Sequence, residues 1–253
     1  MGTQIYKYMS FPSFIDMVQR KALHFVLTSE WEDTMENGFV YEWSKNLSEP
    51  MNRYMSLILV SRAYAQSWTY LEESDAMWRI YGYNNQSLRI RVDISSIDRL
   101  EGVKLLPVEY SDKLIPYSLT EMSHSEILLR YIAQKRTAFK HEQEVRLIYV
   151  DKINPDKVEP TIRNVYYFLR GKYGNMDGVD VSKINLEELK EYVEYSNICE
   201  ERKSYKVSFA HISDFIKGVM VHPLAPDWYV DTVKTYCEIN KIPFDGKSKL
   251  YTL

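Results

Sequence analysis

The 253-residue chain reads as one α+β domain. Two stretches, LRIRVD at 88–93 and EVRLIYV at 144–150, alternate apolar with polar or charged side chains, the period of strands with two unlike faces. Other segments set apolar residues at three- and four-residue spacing behind Ser or Pro, the pattern of short capped helices. With 45% hydrophobic residues, no internal repeat and no flexible linker, the chain has enough apolar surface for one sizeable core.

Taken in order, residues 5–9 (IYKYM) are the first strand candidate. SFPSFIDMVQRKAL then puts Phe14, Met17, Val18 and Leu23 on one helical face, with Ser10 as N-cap. Residues 24–29 return as a strand and enter EWEDTMENGF, an acid-rich loop without apolar periodicity. Such a loop serves a ligand or covers a core; Trp31 suits a plug over a local gap. Residues 50–64 set Met51, Tyr54, Met55 and Ile58 in a core-like stripe behind Pro50, which suits a first helical turn. AQSWT at 65–69 is a central-strand candidate. Ser74 caps the short helix SDAMWRIYG, Asp75 sits at its positive end, Gly82 stops it, and Met77 and Trp78 fall near Tyr81.

In the 88–93 strand Leu88, Ile90 and Val92 face one side, while Arg89 and Arg91 are expected on a wet one. Residues 103–110 offer another strand, broken by Pro107. Ser123 and Glu126 make a capping box before EILLRYIAQKR, whose buried stripe is Ile127, Leu128, Tyr131 and Ile132. That helix runs through a basic loop into the 144–150 strand. Across 151–204 the pattern loosens into an insertion, in which Arg163, Arg170 and Lys172 interleave with Tyr166, Tyr167, Phe168 and Tyr173. Strands resume at 205–209 and 216–221, residues 227–240 form an amphipathic helix, and 248–253 are expected to close a sheet edge.

Composition excludes several classes. A net charge of -3 carries no global polyanion-binding signature, so contact with nucleic acid needs a local patch. Cys199 and Cys237 are far apart and the five histidines show no paired spacing, which gives no metal site and no disulfide framework. Gly171, Gly174 and Gly178 make no dinucleotide fingerprint, and neither a GxSxG elbow nor a phosphate-binding lysine loop is present. With no apolar leader and no run long enough to span a bilayer, the expectation is a cytoplasmic protein without membrane contact.

The chemistry that can be assembled centres on Glu142 and Glu144. Glu144 shares a strand face with Arg146, opposite Val145, Leu147 and Tyr149. A carboxylate presented where loop becomes strand suits stabilisation of a positive charge developing on a sugar carbon. The same residues also fit a solvated strand end with an internal ion pair.

The succession IYKYMS, TSEWEDTMENGF, DAMWRIYG, FKHEQEVRLIYV and ISDFIKGVMVHP resembles a large, poorly characterised bacterial family of domains of unknown function. Its marks are a tyrosine-rich first strand, an acidic loop after a small polar residue, a Met-Trp-x-x-Tyr helix and a Glu-x-Glu-x-Arg strand. The resemblance covers most of the chain and thins across 151–204. More distantly, the layout is similar to mono-ADP-ribosyltransferases, especially the nucleic-acid-modifying toxins of bacterial toxin-antitoxin and phage-defence systems.

That likeness implies an ADP-ribosyltransferase-like fold of two small, mostly antiparallel sheets with flanking helices, and NAD bound as substrate in the cleft between them. It implies that Glu144 stabilises the ribosyl cation, that Glu142 positions the acceptor, and that the SWT strand at Ser67 walls the nicotinamide pocket. Tyr8, Trp78 and Tyr81 would line nicotinamide and ribose, and Lys7, Arg89 or Arg146 would face the pyrophosphate. Many such enzymes carry Arg or His on the first strand; here Lys7 would neutralise the phosphate as a point charge. The implied acceptor is RNA or DNA, gripped by the 163–173 patch, and the implied partner is an antitoxin or regulatory protein. Two other classes remain open: a non-catalytic nucleotide- or nucleic-acid-binding module, and a metal-independent nuclease.

Overall fold

The computed structural model describes residues 4–31, 33, 36, 62–117, 121–151, 171 and 204–252. Strand β1 (Gln4–Ser10) passes directly into helix α1 (Phe11–Arg20), because the Ser10 side chain accepts the Ser13 N–H and Pro12 fits the first turn. Lys21, in the left-handed region with φ 50°, ends α1 by returning its N–H to the Met17 carbonyl. Strand β2 (Ala22–Leu27) therefore starts two residues earlier than expected. The helix buries Phe14, Met17 and Val18, while Leu23 is buried from the strand instead.

Strand β3 (Ala63–Thr69) leads to α2 (Asp75–Tyr81), capped by Ser74, then to β4 (Ser87–Asp93) and the short α3 (Ile94–Ile97). Strands β5 (Val103–Pro107) and β6 (Glu109–Tyr110) flank the Pro107 break. Helix α4 (His124–Ile132) carries both hydrogen bonds of the expected capping box. It is followed by β7 (Gln134–Lys135), a 3-10 turn over Thr137–Glu142, and β8 (Glu144–Val150). The C-terminal part adds β9 (Ser204–Ser208), α5 (Ile212–Phe215), β10 (Ile216–Val221), α6 (Asp227–Ile239) and β11 (Phe244–Lys247).

The α+β class is as expected, but the strands do not divide into two small sheets. Among the described residues nine strands form one forked sheet in the order β11-β10-β4-β1-β3-β2-β9, with β8 on β3 and β5 on β8; β6 and β7 make a separate parallel ladder. The fork arises at β3. One edge of β3 pairs with β8 along its whole length, from Ala63↔Val150 to Thr69↔Glu144. The other edge is divided: β2 takes Tyr64 and Ala65, and β1 takes Thr69. All these pairings are antiparallel, and the parallel β10–β11 pair closes one edge. That edge uses 244–247 rather than the expected 248–253.

Alternation along β3 and β8 feeds two cores. Tyr64, Trp68, Val145 and Leu147 join the main one, with Ile5, Phe14, Ile90 and Val233. Ala63, Ala65 and Ile148 face the other way, against Ile127, Leu128, Tyr131 and Ile132 of α4. Glu144 and Arg146 share this α4-covered face, so the strand has no solvated side. Arg89 is likewise buried, at 1% exposure, and the wet face expected for β4 is absent there. The expected 50–64 helix lies outside the described residues except at its end, where residues 63 and 64 already belong to β3. The basic and aromatic patch of the 151–204 insertion lies outside them too. No helix among the described residues is long and apolar enough to cross a membrane.

Candidate functional site

Because β1 and β2 leave the shared edge of β3 in different directions, a wedge opens between them. Its apex is Gln66 and Ser67, and α1, which joins the two strands, lies across its wide end. The wedge is a cleft of about 690 Å³ lined by β1 from Lys7 to Ser10, by Ser13 and Asp16 of α1, and by His24, Trp31, Gln66, Ser67 and Tyr81. That volume lies in the range of pockets that enclose a small ligand, roughly 300–1,000 Å³. Lys7 reaches into the gap: its Nζ donates to the Ser67 carbonyl at 2.8 Å, a position no neighbouring strand occupies. Gln66 similarly spans to the His24 carbonyl at 3.0 Å.

Glu144 stands directly behind the apex. Its backbone pairs opposite Thr69, its N–H donates to the Tyr110 hydroxyl at 2.7 Å, and the nearby Ser67 side chain favours its ionised form. Glu142 arrives differently from expectation. Gln143 is in the left-handed region with φ 41°, so strand geometry does not extend back to Glu142. A 3-10 turn delivers it, and the Thr69 hydroxyl donates to its carbonyl at 2.6 Å. What unites the two acids is Lys135 on β7, whose Nζ lies 2.9 Å from a carboxylate oxygen of each.

Arg146 completes the cluster. Its Nε bonds Glu144 at 2.7 Å, its Nη2 bonds Glu36 at 2.9 Å and reaches Glu144 at 3.4 Å, and its Nη1 donates to the Ile132 carbonyl. The guanidinium lies 4.4 Å from the centre of the Trp31 ring. Glu36 also meets Lys135, at 3.4 Å. Glu144 is 3% exposed and Arg146 is fully buried, so the ion pair expected at a solvated strand end sits instead beneath α4, against Trp31 and Glu36.

Burial alone pushes the Glu144 carboxyl upward, but Arg146 and then Lys135 outweigh it and hold the group at about 2. For Lys135 burial acts downward, yet Glu144, Glu36 and Glu142 together raise it. Glu36 is raised because its burial exceeds the pull of Arg146 and Lys135. Lys7 is lowered to about 8 by burial, with Glu144 opposing. The site is therefore an ionised carboxylate fixed behind a cleft wall, beside an ammonium held in the cleft itself.

Of the residues expected at the site, Lys7, Tyr8, Ser67 and Tyr81 line the cleft, and Glu142, Glu144 and Arg146 form the charge cluster behind it. Tyr81, half-exposed, has its hydroxyl raised by burial and by the charges of Glu142 and Glu144. Trp78 does not face the cleft. It is fully buried, edge-on to Tyr8 at 4.7 Å, with its indole N–H on Glu73 at 2.9 Å. Arg89 is also elsewhere: it stacks 4.7 Å from the Tyr6 ring centre and donates to the Glu72 carbonyl, away from the pyrophosphate role expected of it.

Glu36, Lys135 and Tyr110 were not legible as site residues. The acid-rich loop and the basic YIAQKR run hinted at the first two, but only the fold supplies their meeting point. Among the described residues no group of three or more His, Cys, Asp or Glu is placed to hold a metal ion. Comparison with protein-family models, with curated proteins and with solved structures finds no match to this chain.

Proposed function

We propose that the chain is an NAD-dependent mono-ADP-ribosyltransferase with an ADP-ribosyltransferase-like fold, acting on a nucleic-acid acceptor. The observation that carries this reading is the meeting of Lys7 and Ser67, from β1 and β3, at the apex of one cleft with Glu144 of β8 directly behind it. The cleft is large enough for the nicotinamide end of a dinucleotide. Lys7 supplies a positive charge for the pyrophosphate, while Tyr81, Tyr8 and Trp31 supply aromatic surface for the rings.

In this mechanism the bond from ribose C1′ to the nicotinamide nitrogen breaks and its electron pair leaves with nicotinamide. Glu144, ionised across the working pH range, stabilises the charge growing on the ribose, and an acceptor lone pair then bonds to C1′ as the acceptor releases its proton to solvent. Glu142, at the end of the exposed 3-10 turn, positions the acceptor. Arg136, Lys140 and His141 make that turn basic, which favours a phosphate-bearing acceptor. An activity of this kind calls for a neutralising antitoxin or a triggered state in the host cell.

The test is to incubate the purified protein with labelled NAD and separate pools of RNA, DNA and protein. Nicotinamide release with label in RNA or DNA is the expected outcome. Label in protein alone removes the nucleic-acid acceptor, recovery of intact NAD from a stable complex indicates a binding module, and strand scission without NAD indicates a nuclease.

A further inference from the structure

Three carboxylates and two cations meet behind the cleft apex, with the Lys7 ammonium on its cleft side. Glu144 alone would face Arg146, Lys135 and, across Ser67, Lys7. A carboxylate surrounded by three cations stabilises a developing positive charge poorly, because their fields cancel its own at the reacting carbon. Glu36 and Glu142 restore the balance, and Glu36 does so against the fully buried Arg146. Its Oε2 takes Nη2 of Arg146 at 2.9 Å and its Oε1 meets Lys135 at 3.4 Å. Nη2 of Arg146 is consequently longer to Glu144, at 3.4 Å, than Nε is, at 2.7 Å. The guanidinium is shared between two acids instead of closing symmetrically on one. Trp31, five residues before Glu36, stacks on the same guanidinium and lines the cleft.

We infer that Glu36 is a positioning residue for the reaction: by sharing Arg146 and Lys135 it keeps the negative charge of Glu144 available to the ribose. This rests on the ADP-ribosyl transfer reading. It assigns a purpose to Glu36 within an acid-rich stretch whose composition alone fits either a cover or a ligand loop.

The experiment compares wild type, Glu36→Gln and Glu36→Asp by nicotinamide release, by melting temperature and by binding of two inert ribose mimics of equal shape, one a cationic cyclic amine and one neutral. Glu36→Gln is expected to lower kcat roughly ten- to hundredfold, as for groups that act through the side chain they orient, with KM for NAD within about twofold of wild type. Glu36→Asp should recover part of kcat. Wild type should prefer the cationic mimic, and Glu36→Gln should lose that preference. If kcat of folded Glu36→Gln equals wild type, or if KM rises in step with a fallen melting temperature while the preference persists, the inference is overturned and the transferase reading stands. If wild type releases no nicotinamide with any acceptor, that reading fails, and the mimics decide the charge role separately: a preference abolished by Glu36→Gln upholds it, and an unchanged one ends it.

Discussion

Arg89 and Arg146 occupy equivalent-looking places in sequence, each inside a strand of alternating character, and both are almost wholly buried. Their surroundings differ in kind. Arg89 rests on the Tyr6 ring and the Glu72 carbonyl, and the nearest carboxylate oxygen of Glu73 is 3.9 Å away. Trp78 and Tyr8 pack close by, and Glu73 serves the Trp78 and Ser248 side chains as well. Arg146 instead holds two carboxylates at direct hydrogen-bond distance and abuts a second cation–carboxylate centre at Lys135. One region uses a buried cation to join backbone and aromatic surfaces. The other concentrates paired charge next to open volume, and a buried charge cluster beside a cleft is the arrangement that chemistry needs.

Breaking each arginine in turn tests the contrast most severely. Arg146→Met leaves Glu36 and Glu144 without their principal counter-ion in a buried place, and should cost about 3–5 kcal/mol of stability together with activity. Arg89→Met removes a cation with only a long ion pair, and should change stability by less than about 2 kcal/mol while turnover per folded molecule is preserved. Chemical denaturation of both variants measures this; equal losses would make the two arginines the same kind of residue.

The two acids sharpen the comparison from the other side. Glu144→Gln should lower nicotinamide release by about 10²–10³-fold with little change in NAD binding, since it removes charge felt mainly in the transition state. Glu142→Gln should harm transfer to the acceptor more than hydrolysis of NAD, so both reactions must be measured. Because Glu144 is buried and paired, its replacement should also destabilise, by about 1–3 kcal/mol, with Glu36 retaining part of Arg146. The pH dependence follows from the same pairing. The Glu144 carboxyl falls from 4.5 to about 2 on folding, so the unfolded chain takes up its proton first. Its stabilisation is complete above about pH 4.5 and lost as pH falls toward 2, and Glu144→Gln should flatten acid unfolding over that interval.

A smaller effect separates the two aromatics of α2. Trp78→Phe should lower stability by about 1–2 kcal/mol, through the lost indole bond to Glu73 and reduced packing, and leave NAD affinity unchanged. Tyr81→Ala should do the reverse, weakening NAD binding by about 0.5–1.5 kcal/mol with little change in melting temperature. A calorimetric titration beside a melt of each variant is sufficient.

The mildest expected effect is that of proton loss from Lys7. Its ammonium, lowered from 10.5 to about 8, is charged at neutral pH, and as pH rises from 8 toward 10.5 the folded protein releases its proton before the unfolded chain does. Stability linked to Lys7 therefore increases over that interval, while the charge offered to a pyrophosphate disappears. KM for NAD should rise above about pH 8 in wild type and stay level in Lys7→Arg; a level profile in wild type would take Lys7 out of NAD binding.

Local chemistry made much of the fold legible. Ser10, Ser74 and the Ser123–Glu126 pair cap the helices they were expected to cap, the β4 and β8 strands stand where alternation put them, and β10 falls at 216–221 as expected. These features depend on side chains a few residues apart, so they are written directly in the order of residues. Glu144 was legible as a candidate for the same reason, through its spacing from Arg146 on one strand face.

Burial and convergence were decided only in three dimensions. Whether Arg89, Glu144 and Arg146 meet solvent depends on α2 and α4, which cover those strands from elsewhere in the chain; alternation assigns a side but not what lies on it. Trp78 follows the same rule, since helical spacing set it near Tyr81 while packing against Tyr8 turned it inward. The meeting of Glu36, Lys135 and Glu144 spans more than a hundred residues of chain, and no short-range pattern encodes it. The cleft itself exists because one edge of β3 is divided between β1 and β2, a consequence of pairing between distant strands that the sequence determines only through the completed sheet.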